Sequence, residues 1–436
     1  MNAYQRPLAQ TLRAYFWRPM GKIDFEKFTL SNGLRVIVHQ DTTTPLVCLN
    51  VMYDVGSRDE DPNRTGFAHL FEHLMFGGSV NIPNYDGPLQ DAAGSNNAFT
   101  STDVTNYYVT LPEQNVETAF WLESDRMLSL AFTEKSLEVQ RNVVIEEFRQ
   151  RYLNQPYGDA WLLMRPLAFK VHPYNWATIG KEEKHISEAS MEEVKAFFHK
   201  HYLPKNAVLV LTGNITVEKT KALAEKWFGP IVKGEKPPRN LVQEPPQTEA
   251  RRLEVERDVP MDAIYISFHC SGKSEQDFAA WDLLSDILSK GNSSRLYQRL
   301  VKESGILSSV GAFVTGEMDP GLFTVAGHIS QGQSVEDAEK AIWDELKLLR
   351  SELVTASELE KAIHQSESQS EFSQINILNR AMNLAYYELM GDANRVNTEI
   401  ERYRATTTAD IQRVAKENLL KNKGSTLVYL RSTNAK

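Results

Sequence analysis

Hydrophobic positions in the first half of the chain follow two periods, one of about two residues and one of about 3.6 residues. Segments with the shorter period, rich in valine, threonine and tyrosine, are predicted strands at residues 34–39, 46–53, 97–101, 106–111 and 207–212. Segments with the longer period are predicted helices at residues 66–78, 117–130, 137–148 and 191–202. This order of elements indicates sheets packed with helices.

The second half of the chain repeats the order of the first at an offset of about 215 residues. Residues 107–119 correspond to 322–338, and residues 202–212 correspond to 418–430. Between residues 229 and 246 the apolar periodicity is lost and prolines accumulate, as is typical of a linker. The repeat therefore predicts a duplicated domain.

We expect an α+β protein of two homologous α/β domains, each a mainly antiparallel sheet packed with helices. Residues 178–185, which contain a glycine, are expected to form a loop. An N-terminal arm is expected to pack on the body through Tyr15, Phe16 and Trp17. The expected divisions are the arm at 1–24, a first domain at 25–229, a linker at 230–248 and a second domain at 249–436.

Composition and charge narrow the class of protein. A chain of 436 residues exceeds what one hydrophobic core usually supports, which agrees with two domains. The formal net charge of −9, without a basic cluster, argues against a nucleic-acid partner. No apolar run is long enough to cross a bilayer, and Cys48 and Cys270 lie in apolar segments typical of buried thiols. The compartment stays open between the cytoplasm and the bacterial periplasm.

The predicted helix at residues 66–78 carries two histidines and a carboxylate on one face. His69, Glu72 and His73 are three and four positions apart, so their side chains point the same way. Two neutral imidazoles one turn apart suit a zinc ion, and the glutamate between them could take a proton from a zinc-bound water. The spacing His-x-x-Glu-His is the inverted form of a common zinc-protease signature.

Histidines on an apolar helix can equally be buried residues without a metal, so the interpretation depends on a third ligand. Glu146 and Glu147 lie in the later helical segment at residues 137–148. Adjacent residues on a helix diverge by about 100°, so only one of these two glutamates can face the metal.

Three stretches together resemble the pitrilysin and insulinase family of metallopeptidases. They are the His69 helix, the Arg-Asn-Val-Val-Ile-Glu-Glu run at residues 141–147 and the Asn-Asn-Ala-Phe-Thr stretch at residues 96–100. The resemblance extends over residues 28–430 and is greatest to the small-chain bacterial and mitochondrial-processing-peptidase branch. It implies that Glu147 is the third zinc ligand and that Glu72 is the catalytic base.

The resemblance also assigns residues around the metal. Asn97, Ala98 and Phe99 resemble the family's edge strand, which pairs with an extended peptide through main-chain hydrogen bonds. The alternative is that this stretch is simply an internal strand. Gln140 stands where the family usually has a glutamate that supports a zinc ligand. The second half has residues 279–288 in place of the His69 helix, without a histidine, so one zinc per chain is expected.

One departure from the family bears on the quaternary structure. The family's zinc-less half carries an arginine and a tyrosine after a Ser-Arg-Leu motif, and both help to stabilise the reacting carbonyl. Here the motif is present at residues 294–296, but Val301 and Ser308 occupy the two positions. A homologous zinc-less partner could supply the missing pair in a heterodimer, or Arg295 or Arg299 could substitute from a shifted position.

The sequence thus predicts a zinc-dependent endopeptidase subunit that closes with its partner into a clam-like chamber for unfolded peptides. The rival hypothesis is a non-catalytic scaffold subunit that keeps the fold after losing the chemistry. The complete set of His69, Glu72, His73 and Glu147 favours the enzyme.

Overall fold

The fold is described from a computed structural model over residues 21–432, so the side chains on which the predicted arm depends lie outside the described residues. The strands are β1 Glu26–Thr29, β2 Arg35–Gln40, β3 Leu46–Tyr53, β4 Ser95–Thr100, β5 Thr105–Pro112, β6 Ala207–Gly213, β7 Arg251–Arg257, β8 Ala263–Cys270, β9 Leu307–Val314, β10 Gly321–Ile329 and β11 Ser425–Arg431.

The α-helices lie between these strands, singly or in groups. They are α1 Phe67–Leu74, α2 Asp86–Asp91, α3 Val116–Leu128, α4 Glu134–Phe148, α5 Ala160–Ala168, α6 Glu183–Ser187, α7 Met191–His201, α8 Val217–Trp227, α9 Phe278–Ser289, α10 Val335–Ser351, α11 Ala356–Ser373, α12 Ile377–Leu389, α13 Arg395–Ala405 and α14 Thr408–Asn418. A π-helical segment, Arg149–Leu153, continues α4, and another lies at Tyr297–Glu303. The short helix α6 begins inside the loop predicted at residues 178–185, so that prediction is wrong at its C-terminal end.

The strands form two sheets with matching order. The first runs β1-β2-β6-β3-β5-β4 and the second runs β7-β11-β8-β10-β9. In each sheet one pair of strands is parallel, β2 with β6 and β7 with β11, and the other neighbours are antiparallel. The prediction of two homologous, mainly antiparallel α+β domains is confirmed, while the exact domain boundaries stay predictions.

Each domain lends a helix to the sheet of the other. Helix α12, from the second half of the chain, packs on β3 and β6 of the first sheet, where Ala381 and Leu384 join Cys48 in a buried cluster. Helix α5, from the first half, packs on β7, β8 and β11 of the second sheet. The exchange buries one face of each sheet against the other half of the chain, so the two domains are held in a fixed relation.

Both faces of the first sheet are therefore covered. The face opposite α12 packs against α1, α3 and α8 in the largest hydrophobic cluster of the described residues. Cys48 and Cys270 are buried free thiols, as the apolar segments around them predict. None of the helices in residues 21–432 combines the length and the apolar character that crossing a membrane requires.

Candidate metal centre

Helix α1 starts at Gly66, where any residue with a Cβ atom would displace neighbouring atoms. Gly66 precedes the helix with φ +89°, a conformation that side chains rarely adopt. A Cβ atom added there would lie 2.7 Å from the carbonyl oxygen of Ile179, well inside van der Waals contact. The close approach fixes where α1 begins, and so fixes the turn on which His69 and His73 lie.

The buried side of α1 is held by aromatic packing. Phe71 stacks on Phe197 of α7 with ring centroids 5.1 Å apart and on Tyr202 at 5.2 Å. Phe67, Leu70 and Leu74 are buried in the same cluster. Because this side of the helix is apolar, the opposite side is the one that presents its polar residues.

A buried glutamate binds the N-terminus of α1. Glu60 accepts hydrogen bonds from the backbone N–H groups of Gly66 and Ala68, at 2.9 and 2.8 Å, and from the Trp176 indole at 3.0 Å. Burial raises the pKa of Glu60 to about 8, and the three donors oppose that rise. Glu60 thus satisfies two N–H groups that a helix start leaves without intrahelical partners.

We expect Glu60→Gln to destabilise helix α1 and with it the folded protein. The amide keeps one acceptor oxygen and turns an N–H₂ group towards a backbone donor, so at least one buried hydrogen bond is lost, at a cost of about 1–3 kcal/mol. Urea unfolding of the metal-free protein measures the change, and competitive titration with a chelator measures zinc affinity. Glu188→Gln, at an exposed position, is the matched control. Equal stability of the two variants would contradict the role of Glu60.

The side chains of the three predicted metal ligands converge from two helices. His69 and His73 of α1 and Glu147 of α4 offer ligand atoms that all lie within 4.8 Å of one another. Oε2 of Glu147 is 3.6 Å from Nε2 of His69 and 3.4 Å from Nε2 of His73. The other oxygen of Glu147 lies 2.5 Å from the guanidinium of Arg151, which leaves Oε2 turned towards the imidazoles.

This donor set fits zinc. Tetrahedral zinc with bonds of about 2.0–2.1 Å places neighbouring ligand atoms about 3.3 Å apart, close to the two distances from Glu147. Burial, with a smaller contribution from His73, lowers the pKa of His69 to about 4, so His69 is neutral at pH 7, as a ligand must be. The pKa of Glu147 is also lowered, chiefly by its hydrogen bond with His73, so this carboxyl is ionised.

Glu72 lies on the same face of α1 but has a different partner. Its Oε2 accepts a hydrogen bond of 2.6 Å from the Thr100 hydroxyl at the end of β4. Among residues 21–432, its Oε1 accepts none. Burial raises the pKa of Glu72, which makes its carboxylate a stronger base than an exposed glutamate.

A cavity of about 870 Å³ connects this centre with β4. It is lined by His69, Glu72, His73 and Glu147 together with Asn97, Ala98, Phe99 and Thr100. Within residues 21–432, β4 is the last strand of its sheet and pairs with β5 alone, so the stretch is an edge strand and not an internal one. Its unpaired backbone groups are available to an added strand. We call this space the metal-site cavity.

In the second domain, a lysine directly follows the helix that corresponds to α1. Helix α9, the counterpart of α1, carries Asp282 and Asp286 one turn apart. The Lys290 ammonium lies 2.7 Å from Asp286 and donates a hydrogen bond of 3.2 Å to Gln369 of α11. Over residues 21–432, the His69, His73 and Glu147 group is the only cluster of three or more histidine, cysteine, aspartate or glutamate side chains with metal-ligand geometry.

The remaining predicted site residues lie further from the metal centre. Gln140 is half-buried two turns before Glu147 on α4, and within the described residues its side chain makes no hydrogen bond. Arg295 makes a paired ion contact with Glu358, at 2.6 and 2.8 Å, and Arg299 binds Glu345 at 2.8 Å. Both guanidinium groups are thus already engaged within the second domain.

Sequence reasoning missed three residues of this centre. Thr100 and Arg151 contact Glu72 and Glu147 from other elements, and Glu60 binds the start of α1. Arg151 follows Glu147 by four residues, a spacing that favours an ion pair on a helix, so this contact had a sequence signal. The contacts of Thr100 and Glu60 depend on tertiary packing and had none.

Comparisons with known families match the chain in two segments. Residues 35–160 match the model described as "Insulinase (Peptidase family M16)", and residues 188–366 match the one described as "Peptidase M16 inactive domain". The first segment contains His69, His73 and Glu147, and the second contains α9 and the lysine that follows it.

Similar proteins are named as zinc proteases. The chain is 28% identical over 420 residues to the zinc protease PqqE of Helicobacter pylori, covering 93% of this chain and 92% of that protein. It is 25% identical to the uncharacterized zinc protease YmxG of Bacillus subtilis, covering 78% of this chain and 82% of that one. A crystal structure of a protease from Helicobacter pylori superposes with a TM-score of 0.88 at 27% identity, covering 94% of this chain and all of that chain.

Proposed function

Because the chain belongs to peptidase family M16, we propose that it is the zinc-bearing subunit of an endopeptidase that hydrolyses unfolded peptides. His69, His73 and Glu147 are the proposed zinc ligands, one zinc per chain, and Glu72 is the proposed general base. The observation that carries the proposal is the convergence of three ligand atoms within 4.8 Å, beside a fourth carboxylate and an open edge strand.

In the proposed peptide hydrolysis, each group around the metal site has a separate role. Zinc held by the three ligands would supply a Lewis acid that lowers the pKa of a coordinated water to about 7. Thr100 fixes Oε2 of Glu72, so Oε1 is the atom that takes the proton from the attacking water and passes it to the leaving amine. Arg151 holds the other oxygen of Glu147 and so orients this carboxylate while the reaction proceeds.

The edge strand supplies the proposed recognition of substrate. A peptide added to β4 exchanges main-chain hydrogen bonds with Asn97, Ala98 and Phe99, which requires an extended backbone but no particular side chains. A folded protein cannot present such a segment. Unfolded peptides are therefore the proposed substrate class, enclosed in a chamber that a partner completes.

The partner is inferred from the second domain. Val301 packs against the second-domain core and Ser308 lies on the exposed side of β9, so neither offers a cationic or phenolic donor to a reacting carbonyl. Arg295 and Arg299 are held by Glu358 and Glu345. We infer that a homologous zinc-less subunit supplies the arginine and tyrosine, as the family resemblance suggests.

Hydrolysis of an unstructured fluorogenic peptide tests the function and the partner together. The zinc-loaded chain is assayed alone, and then with the homologous zinc-less M16 protein encoded in the same genome. We expect the mixture to exceed the chain alone by about 10²–10³-fold in kcat/KM, the usual value of a missing carbonyl-stabilising donor. The partner assayed alone is the control and should be inactive.

The other outcomes are distinguishable. Full activity of the chain alone would overturn the heterodimer and indicate a self-sufficient homodimer. One bound zinc per chain without hydrolysis in either assay would overturn the enzyme and favour a scaffold subunit.

A further inference from the structure

A second cavity, of about 760 Å³, lies between the two domains on the far side of β4 from α1. We call it the interdomain cavity. Its apolar lining comes from both domains and comprises Met52, Phe99, Val104, Trp161, Phe313 and Tyr386. Phe99, Tyr152 and Thr178 line both this cavity and the metal-site cavity, so the two spaces adjoin.

The position of Phe99 shows how a substrate would reach the interdomain cavity. Ala98 packs on the cluster beneath α1, and side chains alternate along a strand, so Phe99 projects from the opposite face. That face carries Met52 and Val104, which pack with α12. A peptide paired with β4 alternates in the same way, sending every second side chain to the interdomain side.

The acidic groups of the interdomain cavity have their partners within the protein. Asp103 accepts hydrogen bonds from the Tyr174 hydroxyl at 2.5 Å and the Met318 backbone N–H at 2.9 Å, and it pairs with Arg58 at 2.8 Å. Glu317 accepts hydrogen bonds from Arg165, at 3.0 Å, and from the Thr315 hydroxyl. Neither carboxylate is left to bind a cationic ligand.

Lys273 differs from these carboxylates in that no described residue accepts a hydrogen bond from its charged group. Its backbone is fixed, because its N–H donates to the Glu317 carbonyl at 2.8 Å and its carbonyl accepts from Arg402 at 3.1 Å. Its ammonium lies 4.7 Å from the centre of the Tyr386 ring. Within residues 21–432 no oxygen accepts a hydrogen bond from this ammonium, although burial lowers the pKa of the lysine and so makes an anionic partner more favourable.

The nearby acidic side chains do not act as the anionic partner of Lys273. Glu399, the acid with the largest effect on Lys273, is bound by Arg395 at 2.8 Å and by Arg402 at 2.7 Å. Asp282 accepts a hydrogen bond of 2.7 Å from the Tyr403 hydroxyl. The cavity therefore combines an apolar wall with the three N–H donors of the Lys273 ammonium.

We propose that the interdomain cavity is a substrate subsite that binds a carboxylate through Lys273, with the carbon chain of the bound residue against Phe99 and Trp161. The proposal rests on the proposed peptidase function and names its substrate class. Side chains of an extended chain alternate in direction, so the subsite serves a residue whose side chain faces the interdomain cavity. The carboxylate comes from a glutamate or aspartate side chain, or from the C-terminus of the peptide.

Binding to a protein that does not turn over tests the subsite separately from catalysis. Labelled peptides identical except for Glu or Gln at each position flanking the cleavage site are titrated against zinc-loaded Glu72→Gln protein. We expect the Glu peptide to bind about tenfold more tightly than the Gln peptide at one position. A second pair, ending at that position with a free or an amidated C-terminus, separates the two sources of the carboxylate.

Variants identify the residue responsible. Lys273→Met, made in the same background, should abolish the Glu-over-Gln preference, and Lys273→Arg should retain most of it. Lys347→Met, at an exposed position of α10, is the matched control and should keep the full preference. Retention of Gln-peptide binding by Lys273→Met shows that the fold is intact.

Each result has one meaning. Equal binding of Glu and Gln peptides, and of free and amidated termini, would overturn the subsite. So would a tenfold preference that survives Lys273→Met. A preference confined to the free terminus supports the subsite and assigns its carboxylate to the peptide end. Failure of the wild-type chain to hydrolyse any peptide, both alone and with the zinc-less partner, would overturn the proposed function without altering these binding results.

Discussion

Glu72→Gln is expected to keep one zinc per chain and to lose peptide hydrolysis by about 10³-fold, since general acid–base catalysis contributes about 10²–10⁴-fold. The amide retains an oxygen that accepts the Thr100 hydroxyl, so the geometry of α1 against β4 is preserved. What it loses is the ability to take a proton. Zinc analysis and kcat/KM on the same preparation separate the two effects.

The matched control for this prediction is Glu138→Gln, the same chemical change on the exposed face of α4. We expect that variant to retain wild-type zinc content and activity. A Glu72→Gln enzyme within a few-fold of wild type would remove Glu72 from the mechanism. Loss of zinc from it would instead show that Glu72 supports the metal site.

The sequence was most informative where a contact depends on neighbouring positions in the chain. The prediction of a strand at residues 46–53 coincides with β3, because both of its faces are buried and its boundaries are marked by polar residues. His69 and His73 are one turn apart on any helix, so their shared face required only that a helix forms. The repeat of elements in the two halves also survives in the sequence as an ordered pattern.

Contacts between distant elements were not predictable in the same way. The hydrophobic face of α12 shows that the helix packs on something, but not that it packs on the sheet of the first domain. Likewise, Lys273 lies in a loop of the second domain with nothing in its neighbours to indicate an enclosed, unpaired ammonium. Its environment arises only when Tyr386 of the exchanged helix α12 is placed beside it.

Lys290 in the second domain is another example of a contact between distant elements that the sequence does not predict. The absence of histidine from α9 predicts that no zinc binds there, but the lysine that joins Asp286 to Gln369 follows only from the packing of α9 against α11. The Lys290 ammonium thus connects the end of α9 to α11, and in the first domain a zinc ion is proposed to connect α1 to α4.

His73→Ala is expected to lose both zinc and activity. The variant leaves His69 and Glu147 as the two remaining ligands, which is below the three that a catalytic zinc site uses. We expect zinc content after dialysis to fall from about one per chain to nearly none, and hydrolysis to fall to background. Metal analysis and the peptide assay, each with and without added zinc, measure the two losses.

His199→Ala distinguishes loss of a ligand from loss of a histidine. His199 is exposed near the end of α7, outside the metal-site cavity, so its removal should leave zinc content and activity unchanged. Because His73 is only partly buried, with 23% of its side chain exposed, its truncation leaves the core around Phe71 intact. Near wild-type unfolding by urea in the absence of metal should confirm this. Zinc content equal to wild type in His73→Ala would show that the ligand assignment is wrong.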